Sequence, residues 1–336
     1  MYKILFLSLF FFLKNAVAQV ENIKLPVAHS IRAMDVSPDG TFWISGSKGA
    51  IYKLEGKSWV NYCPSEFKDY DFRGISILSK TTLITMSAGE GENGKAFLLK
   101  STDAGKNWKK VFQDSTKGAF FDTIKFLHDK DGWLLGDQIS GKPYLRKTTD
   151  GGETWQNVET DLTLFEGEAS FAASNSCIAL NKKNVWFTTQ NRIFFSKNKG
   201  KSWKILTTPF VKTESKGIFG IFFKDFKNGI AVGGDYQNEN EKTLQLAITT
   251  DGGNSWDIKN QEVGQGVSES VVFVNNKLMV ISGTKGIVLK DIYSKKSIKI
   301  SDGIFHVIKC HSNSCIAAGA GGNTCFFEIN PNLLQH

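Results

Sequence analysis

After residue 18, hydrophobic residues fall in short runs that alternate with polar ones and are broken by Gly, Asp, Asn or Lys. Residues 121–158 show the pattern: Phe121 to Leu127, Gly132 to Gly136, Pro143 to Thr148, then Thr154 to Val158. Runs of this length, rich in Val, Ile, Phe and Trp, predict the four strands of an antiparallel meander. No segment of comparable length carries the 3.6-residue period of a helix.

The meander recurs. Ser101-Thr-Asp103-Ala-Gly105-Lys-Asn-Trp108 reappears as Thr148-Thr-Asp150-Gly-Gly152-Glu-Thr-Trp155, as Ser196-Lys-Asn198-Lys-Gly200-Lys-Ser-Trp203 and as Thr249-Thr-Asp251-Gly-Gly253-Asn-Ser-Trp256. The glycines stand 47, 48 and 53 residues apart, a spacing typical of repeat architectures. A second mark counts units that lack this motif. The second strand of a unit closes on glycine at Gly46, Gly89, Gly136, Gly233, Gly283 and Gly319, and Trp186-Phe-Thr-Thr189 is the same strand without it. Leu54-Glu-Gly56-Lys-Ser-Trp59 is a worn motif copy in the first unit. Seven such units predict an all-β, seven-bladed propeller of four-stranded blades. The last unit stops after three strands, so Val20 to Leu25 is expected to supply its fourth and close the ring, removing an exposed edge. Residues 19–336 then form one propeller domain.

Each specified position of the motif has turn chemistry behind it. Asp accepts turn amides, Gly takes a backbone conformation closed to other residues, and Trp packs back under the turn. The four acidic or amide positions are therefore read as hairpin locks between third and fourth strands, not as an active site. The motif is similar to the Asp-box, or BNR repeat. Sialidases carry it on six blades, with three substrate-gripping arginines, a Tyr–Glu pair and an early Arg-Ile-Pro. This chain has four arginines in all, and Arg192-Ile193 comes late and lacks the Pro. The resemblance is closer to the exported seven-bladed group of the photosystem II assembly and stability factor. It is carried by Ser30-Ile-Arg32, Asp71-Phe-Arg-Gly74, Met86-Ser-Ala-Gly-Glu-Gly-Glu92, Phe120-Phe-Asp122, Gly136-Asp137, Glu168-Ala-Ser-Phe-Ala-Ala-Ser174, Val232-Gly-Gly-Asp-Tyr236 and Phe305-His306. It implies a propeller that binds partner proteins and assigns no reaction.

The first eighteen residues predict a secretory signal: Lys3, the apolar run Ile4 to Leu13, and Ala16-Val17-Ala18 as the cleavage site. The run is too short to span a bilayer, so a secreted or periplasmic protein without membrane insertion is expected. The net charge of +8 is spread along the repeats with no dense basic block, which argues against a nucleic-acid module. Cys63, Cys177, Cys310, Cys315 and Cys325 are an odd set for an exported chain, with Cys310 and Cys315 placed for a cross-strand disulfide around a turn. Metal binding through Cys310, His311 and Cys315 lacks a recognised ligand spacing. No serine-nucleophile motif, phosphate loop or dinucleotide fingerprint is present, and no cofactor or metal is expected.

In a propeller the starts of the innermost strands and the ends of the second strands meet on one face around the channel, a common ligand site. That geometry gathers Arg32, Asp71, Arg73, Asp122, Asn175, Glu269, Ser270 and His306, with Glu168 just upstream, and Glu90, Glu92, Asp137, Gln190, Asp235 and Tyr236. Arg32 and Arg73 take matching places in adjacent units; with Glu269 they are the candidate ligand-binding residues, suited to a carboxylate or sulfate. The opposing reading pairs each arginine internally with Asp71, Asp122 or Asp35. Asp122, Asp137, Glu168 and Asp235 are candidates for glycosidic acid–base chemistry, and His306 with Tyr236 for proton abstraction. Two functions follow: a monomeric module binding a protein or glycan, acidic in character, or a carbohydrate-active enzyme on an acidic or sulfated glycan.

Overall fold

A computed structural model of the chain describes residues 17–240, 245–259, 266–293 and 297–330. Residues 1–16, and with them nearly all of the expected signal segment, lie outside the described residues. Seven four-stranded antiparallel sheets make a seven-bladed propeller. Blades 1 to 6 take residues 31–61, 72–113, 121–157, 178–207, 216–258 and 268–301 in chain order. Blade 7 combines Phe305–His311, Ser314–Gly319 and Asn323–Ile329 with Val17–Lys24, which pairs antiparallel to Asn323–Ile329 and closes the ring. Among the described residues only three single-turn 3-10 segments interrupt the strands, and no helix is long and apolar enough to cross a membrane.

The core lies between blades. Ala33, Trp43 and Ile51 of blade 1 pack on Phe72, Ile75, Leu83 and Phe97 of blade 2, and Val280 and Leu289 of blade 6 pack on Phe305, Ala317 and Phe327 of blade 7. Each fully buried side chain of this size contributes about 1.5–3 kcal/mol, so the ring is held by its inter-blade seams.

The repeated motif sits between the third and fourth strands of blades 2 to 5. Its aspartate does accept turn amides, as in Thr154 N–H to Asp150 Oδ1 at 3.0 Å. The Ser or Thr before it does as much. Thr148 Oγ1 accepts the Gly152 N–H at 2.9 Å and donates to Asp150 Oδ1 at 2.7 Å, and Ser101, Ser196 and Thr249 repeat both bonds. Gly105, Gly152, Gly200 and Gly253 have φ of 83°, 83°, 81° and 95°, which side-chain-bearing residues resist. A Cβ on Gly200 would lie 2.4 Å from the Trp133 ring of blade 3, so the turn also docks one blade on the last. The tryptophans divide. Trp155 and Trp256 donate to the carbonyls of Gly152 and Gly253, Trp108 donates to Tyr62 in the preceding blade, and the buried Trp203 N–H has no partner. The worn copy in blade 1 is instead a tight hairpin: Glu55 pairs with Ser58 across Gly56-Lys57, and Trp59 reaches Thr324 of blade 7 at 3.2 Å.

Cys310 and Cys315 are disulfide-bonded across the Lys309–Ile316 pairing of blade 7. Both sulfurs are thereby taken from the metal-ligand reading. Cys63, Cys177 and Cys325 are free.

Candidate functional site

One backbone device builds the channel face. In six blades the pairing between first and second strands slips at the start of the inner strand: between Ile31 and Ala33, Phe72 and Gly74, Phe121 and Thr123, Ile218 and Gly220, Ser268 and Ser270, and Phe305 and Val307. The residues thrown out of the ladder are Arg32, Arg73, Asp122, Phe219, Glu269 and His306. A bulge releases one residue from pairing and re-aims its side chain. The closing glycines owe their place to this bulge. A Cβ on Gly46, Gly136, Gly233, Gly283 or Gly319 would come within 2.0–2.3 Å of a carbonyl oxygen just ahead of the bulge. In blade 2 that register belongs to Ser87, and Gly89 lies two residues beyond, against the Lys95 side chain. Gly89 is thus not the counterpart its spacing suggests.

The bulge residues form a charged network. His306 Nδ1 lies 2.5 Å from Glu269 Oε2 and 3.5 Å from an Arg32 terminal nitrogen, joining blades 7, 6 and 1. Arg32 also donates to Ser30 Oγ at 3.1 Å and to the Ala173 carbonyl at 3.5 Å. Arg73 pairs with Asp71 at 2.8 Å, both side chains about a third exposed (33% and 29%). Burial, then repulsion from Asp137, pushes the Asp122 carboxyl well above the usual range, against attraction from Arg73; its Oδ2 is buried without a partner. Burial also raises Asp137 to about 6. Arg73 is the guanidinium that attracts the Asp122 carboxyl, while Asp71 is paired with Arg73 and the Glu269 carboxylate acts on Arg32.

A segment between blades 3 and 4 fills the axis below this ring. Asn175, with φ of 53°, accepts the Ile124 N–H at 2.9 Å and donates to the Ile75 carbonyl at 3.3 Å. Ser174 donates to the Glu269 carbonyl at 2.7 Å, and Ser176 O accepts the Ile221 N–H at 2.9 Å. With Ala173 on Arg32, these bonds tie the segment to the inner strands of blades 1, 2, 3, 5 and 6. Asn175 is therefore a plug residue; the inner strand of its blade starts at Ile178.

The remaining candidates separate by contact. Glu168 is fully buried and gripped by Arg192, whose guanidinium, with Thr189 Oγ1 and the Phe165 N–H, outweighs burial and holds its carboxyl low. Burial works against the charge on Asp235, yet Ser215 and the amides of Gln237 and Asn238 hold it low as a turn acceptor. Gln190 is spent on the Ala169 amide and the Gly167 carbonyl. Glu90 and Glu92 are exposed and bond to Asn93 and the Gly118 N–H. Tyr236, 47% exposed, meets Phe171 and Phe219 edge-on, whereas His306 meets Arg32 and Glu269. Phe219 was missed by sequence reasoning; it stacks on Phe171 at 4.0 Å and 7°. Its signal was the shared frame of Phe219-Gly-Ile221 with Arg73-Gly-Ile75.

A family model described as sortilin, neurotensin receptor 3, matches residues 144–277, a stretch holding three of the four motif copies. No curated protein matches the chain significantly. Among solved structures, YCF48 bound to D1 peptide aligns with TM-score 0.68 at 13% identity, covering 93% of this chain and 98% of that one. A catalytically inactive virginiamycin B lyase from Staphylococcus aureus with quinupristin aligns with TM-score 0.71 at 13% identity, covering 93% and 99%. A GH74 enzyme from Niastella koreensis aligns with TM-score 0.64 at 12% identity, covering 93% of this chain and 54% of that one. At these identities the likeness is one of fold.

Proposed function

We propose that this chain is an exported, monomeric binding module that holds a carboxylate-bearing segment of a partner protein on the bulge-lined face. The observation that carries this reading is the state of the two arginines. Arg32 makes only 3.5 Å contacts through its terminal nitrogen, and Arg73 donates to Asp71 while a third of it faces solvent. Both forks keep unused donors, and the nearby Asp122 carboxyl is driven toward its neutral form. The plug reaches Arg32 and the Glu269 carbonyl through Ala173 and Ser174, so a chain end or acidic side chain would meet the arginines from the solvent side. The YCF48 structure with bound peptide supports such use of the fold. The Cys310–Cys315 disulfide fits an oxidising compartment, in keeping with cleavage near Ala18 and a propeller domain over residues 19–336. The hydroxyl–aspartate–glycine turns fit the Asp-box, acting as locks.

The test is binding to matched peptides with free and amidated C-termini, beside acidic glycans, using wild type and Arg32→Ala/Arg73→Ala. The free carboxylate should bind, and the double variant should lose about tenfold or more, equivalent to about 1.4 kcal/mol. Equal binding of amidated peptide would sink the proposal. Asp137, near-neutral in its titration, favours a second reading, acid–base chemistry on an acidic glycan. Cleavage in the glycan panel that Asp137→Asn abolishes would establish it.

A further inference from the structure

Past the plug, the same inner strands enclose a second space that the arginine face does not use. It is a cavity of about 170 Å³, floored by Ser174 and Ser176 and walled by blades 1 and 3 to 7. Its lining mixes aliphatic and aromatic side chains with three serines and two lysines, Lys125 from blade 3 and Lys309 from blade 7. The two blades stand on opposite sides of the ring, so the ammonium groups approach from different directions. Among the described residues neither makes a salt bridge or hydrogen bond. The other titratable groups around Lys125 are Asp35, which accepts the Ile77 N–H at 2.9 Å, and the buried Cys177 thiol. Both side chains are partly exposed, and two ammoniums that repel each other with no paired carboxylate gain from an anion placed between them.

We infer that this far end of the channel is a receptor for a small dianionic oxyanion of the phosphate or sulfate type, held between Lys125 and Lys309. A halide or single carboxylate brings one charge for two ammoniums, whereas a tetrahedral dianion presents oxygens to both. The volume holds such an ion with several waters. Burial, then repulsion from Lys309, draws the Lys125 ammonium down to about 7, so above that pH Lys125 should take up a proton as an anion binds.

Thermal shift and calorimetry at fixed ionic strength test this with sulfate, inorganic phosphate and phenyl phosphate, chloride being the control. The variants are Lys125→Met, Lys309→Met and Arg32→Ala/Arg73→Ala. Saturable binding should fall at least tenfold in each lysine variant and persist in the arginine variant. Sulfate, which does not titrate here, should bind more tightly at pH 6 than at pH 8, with proton uptake at pH 8. Binding of phenyl phosphate alone would mark the ion as the end group of a larger ligand; binding of the free ions would mark them as sufficient. Without added anion, Lys125→Met should raise the Tm, because it removes a desolvated cation, so loss of binding is separable from loss of fold. No saturable binding in any arm, binding kept in both lysine variants, or loss only in the arginine variant would each overturn the inference.

Discussion

The outer turns and the inner bulges are both repeated devices of one backbone, yet they use sequence in opposite ways. At the rim, Ser or Thr, then Asp or Asn, then Gly recur because each residue's own hydrogen bonds or φ make the turn. At the channel the repeated feature is a slip in pairing, and the residue it expels is Arg, Asp, Phe, Glu or His. The bulge needs space, not a particular side chain. A scaffold can therefore vary chemistry at its mouth without touching the seams that hold its blades, and the charged residues here occupy the positions that the fold leaves free.

The largest expected effect strikes the space that the bulge requires. Gly283→Ala places a Cβ 2.0 Å from the Val267 carbonyl, a backbone atom that cannot move aside alone. We expect a loss of about 3 kcal/mol or more in denaturant unfolding. A loss under about 1 kcal/mol would show that blade 6 absorbs the methyl and that the glycines are incidental. Smaller is the contrast between a rim residue and a bulge residue. Thr148→Val keeps the shape but leaves the buried Gly152 N–H without its acceptor, costing about 1–3 kcal/mol. Arg73→Ala removes a pair about a third exposed and should cost about 0–1 kcal/mol. Equal losses in the two variants would erase the distinction between turn and bulge.

The same distinction governs what could be read from the chain. The blades were legible because Thr148, Asp150 and Gly152 interact within five residues, so their chemistry is written in consecutive letters. The closing glycines were legible as marks, but their cause is a carbonyl in another strand, and blade 2 broke the pattern at Ser87. Ring closure by an N-terminal strand followed from counting strands, which pointed to Val20 to Leu25 where the strand runs Val17–Lys24. Arg32, Arg73, Asp122, Glu269 and His306 were found as strand starts, since position alone decides which face they reach. Their partners were not. Arg32 meets Ala173 across 141 residues and Asn175 meets Ile75 across 100, and no local pattern encodes a loop that crosses the axis. Glu168 was misleading for the same reason: its neutralising partner is Arg192, on the third strand of the next blade.

The smallest expected effect carries the sharpest sign. The rim aspartates are held low: the Asn107 side chain and N–H take Asp103 to about 2, and the Ser255 hydroxyl and N–H take Asp251 to about 2. Their contribution is present above pH 4 and is lost as pH falls toward 2. Asp137 behaves in the reverse sense. Burial lifts it from 3.8 to about 6, so the folded state holds the extra proton between those values. Its ionisation cost grows as pH rises through that window and is complete above about 6. Asp137→Asn should accordingly stabilise the protein at pH 7.5, by about 1 kcal/mol once partial exposure is allowed for, and the gain should vanish below pH 4. Asp251→Asn should show no gain at pH 7.5, and its difference from wild type should shrink as pH drops below 4. Parallel Tm–pH profiles for the two variants would mean that rim and channel carboxylates share one environment, and that the mouth holds no special affinity for negative charge.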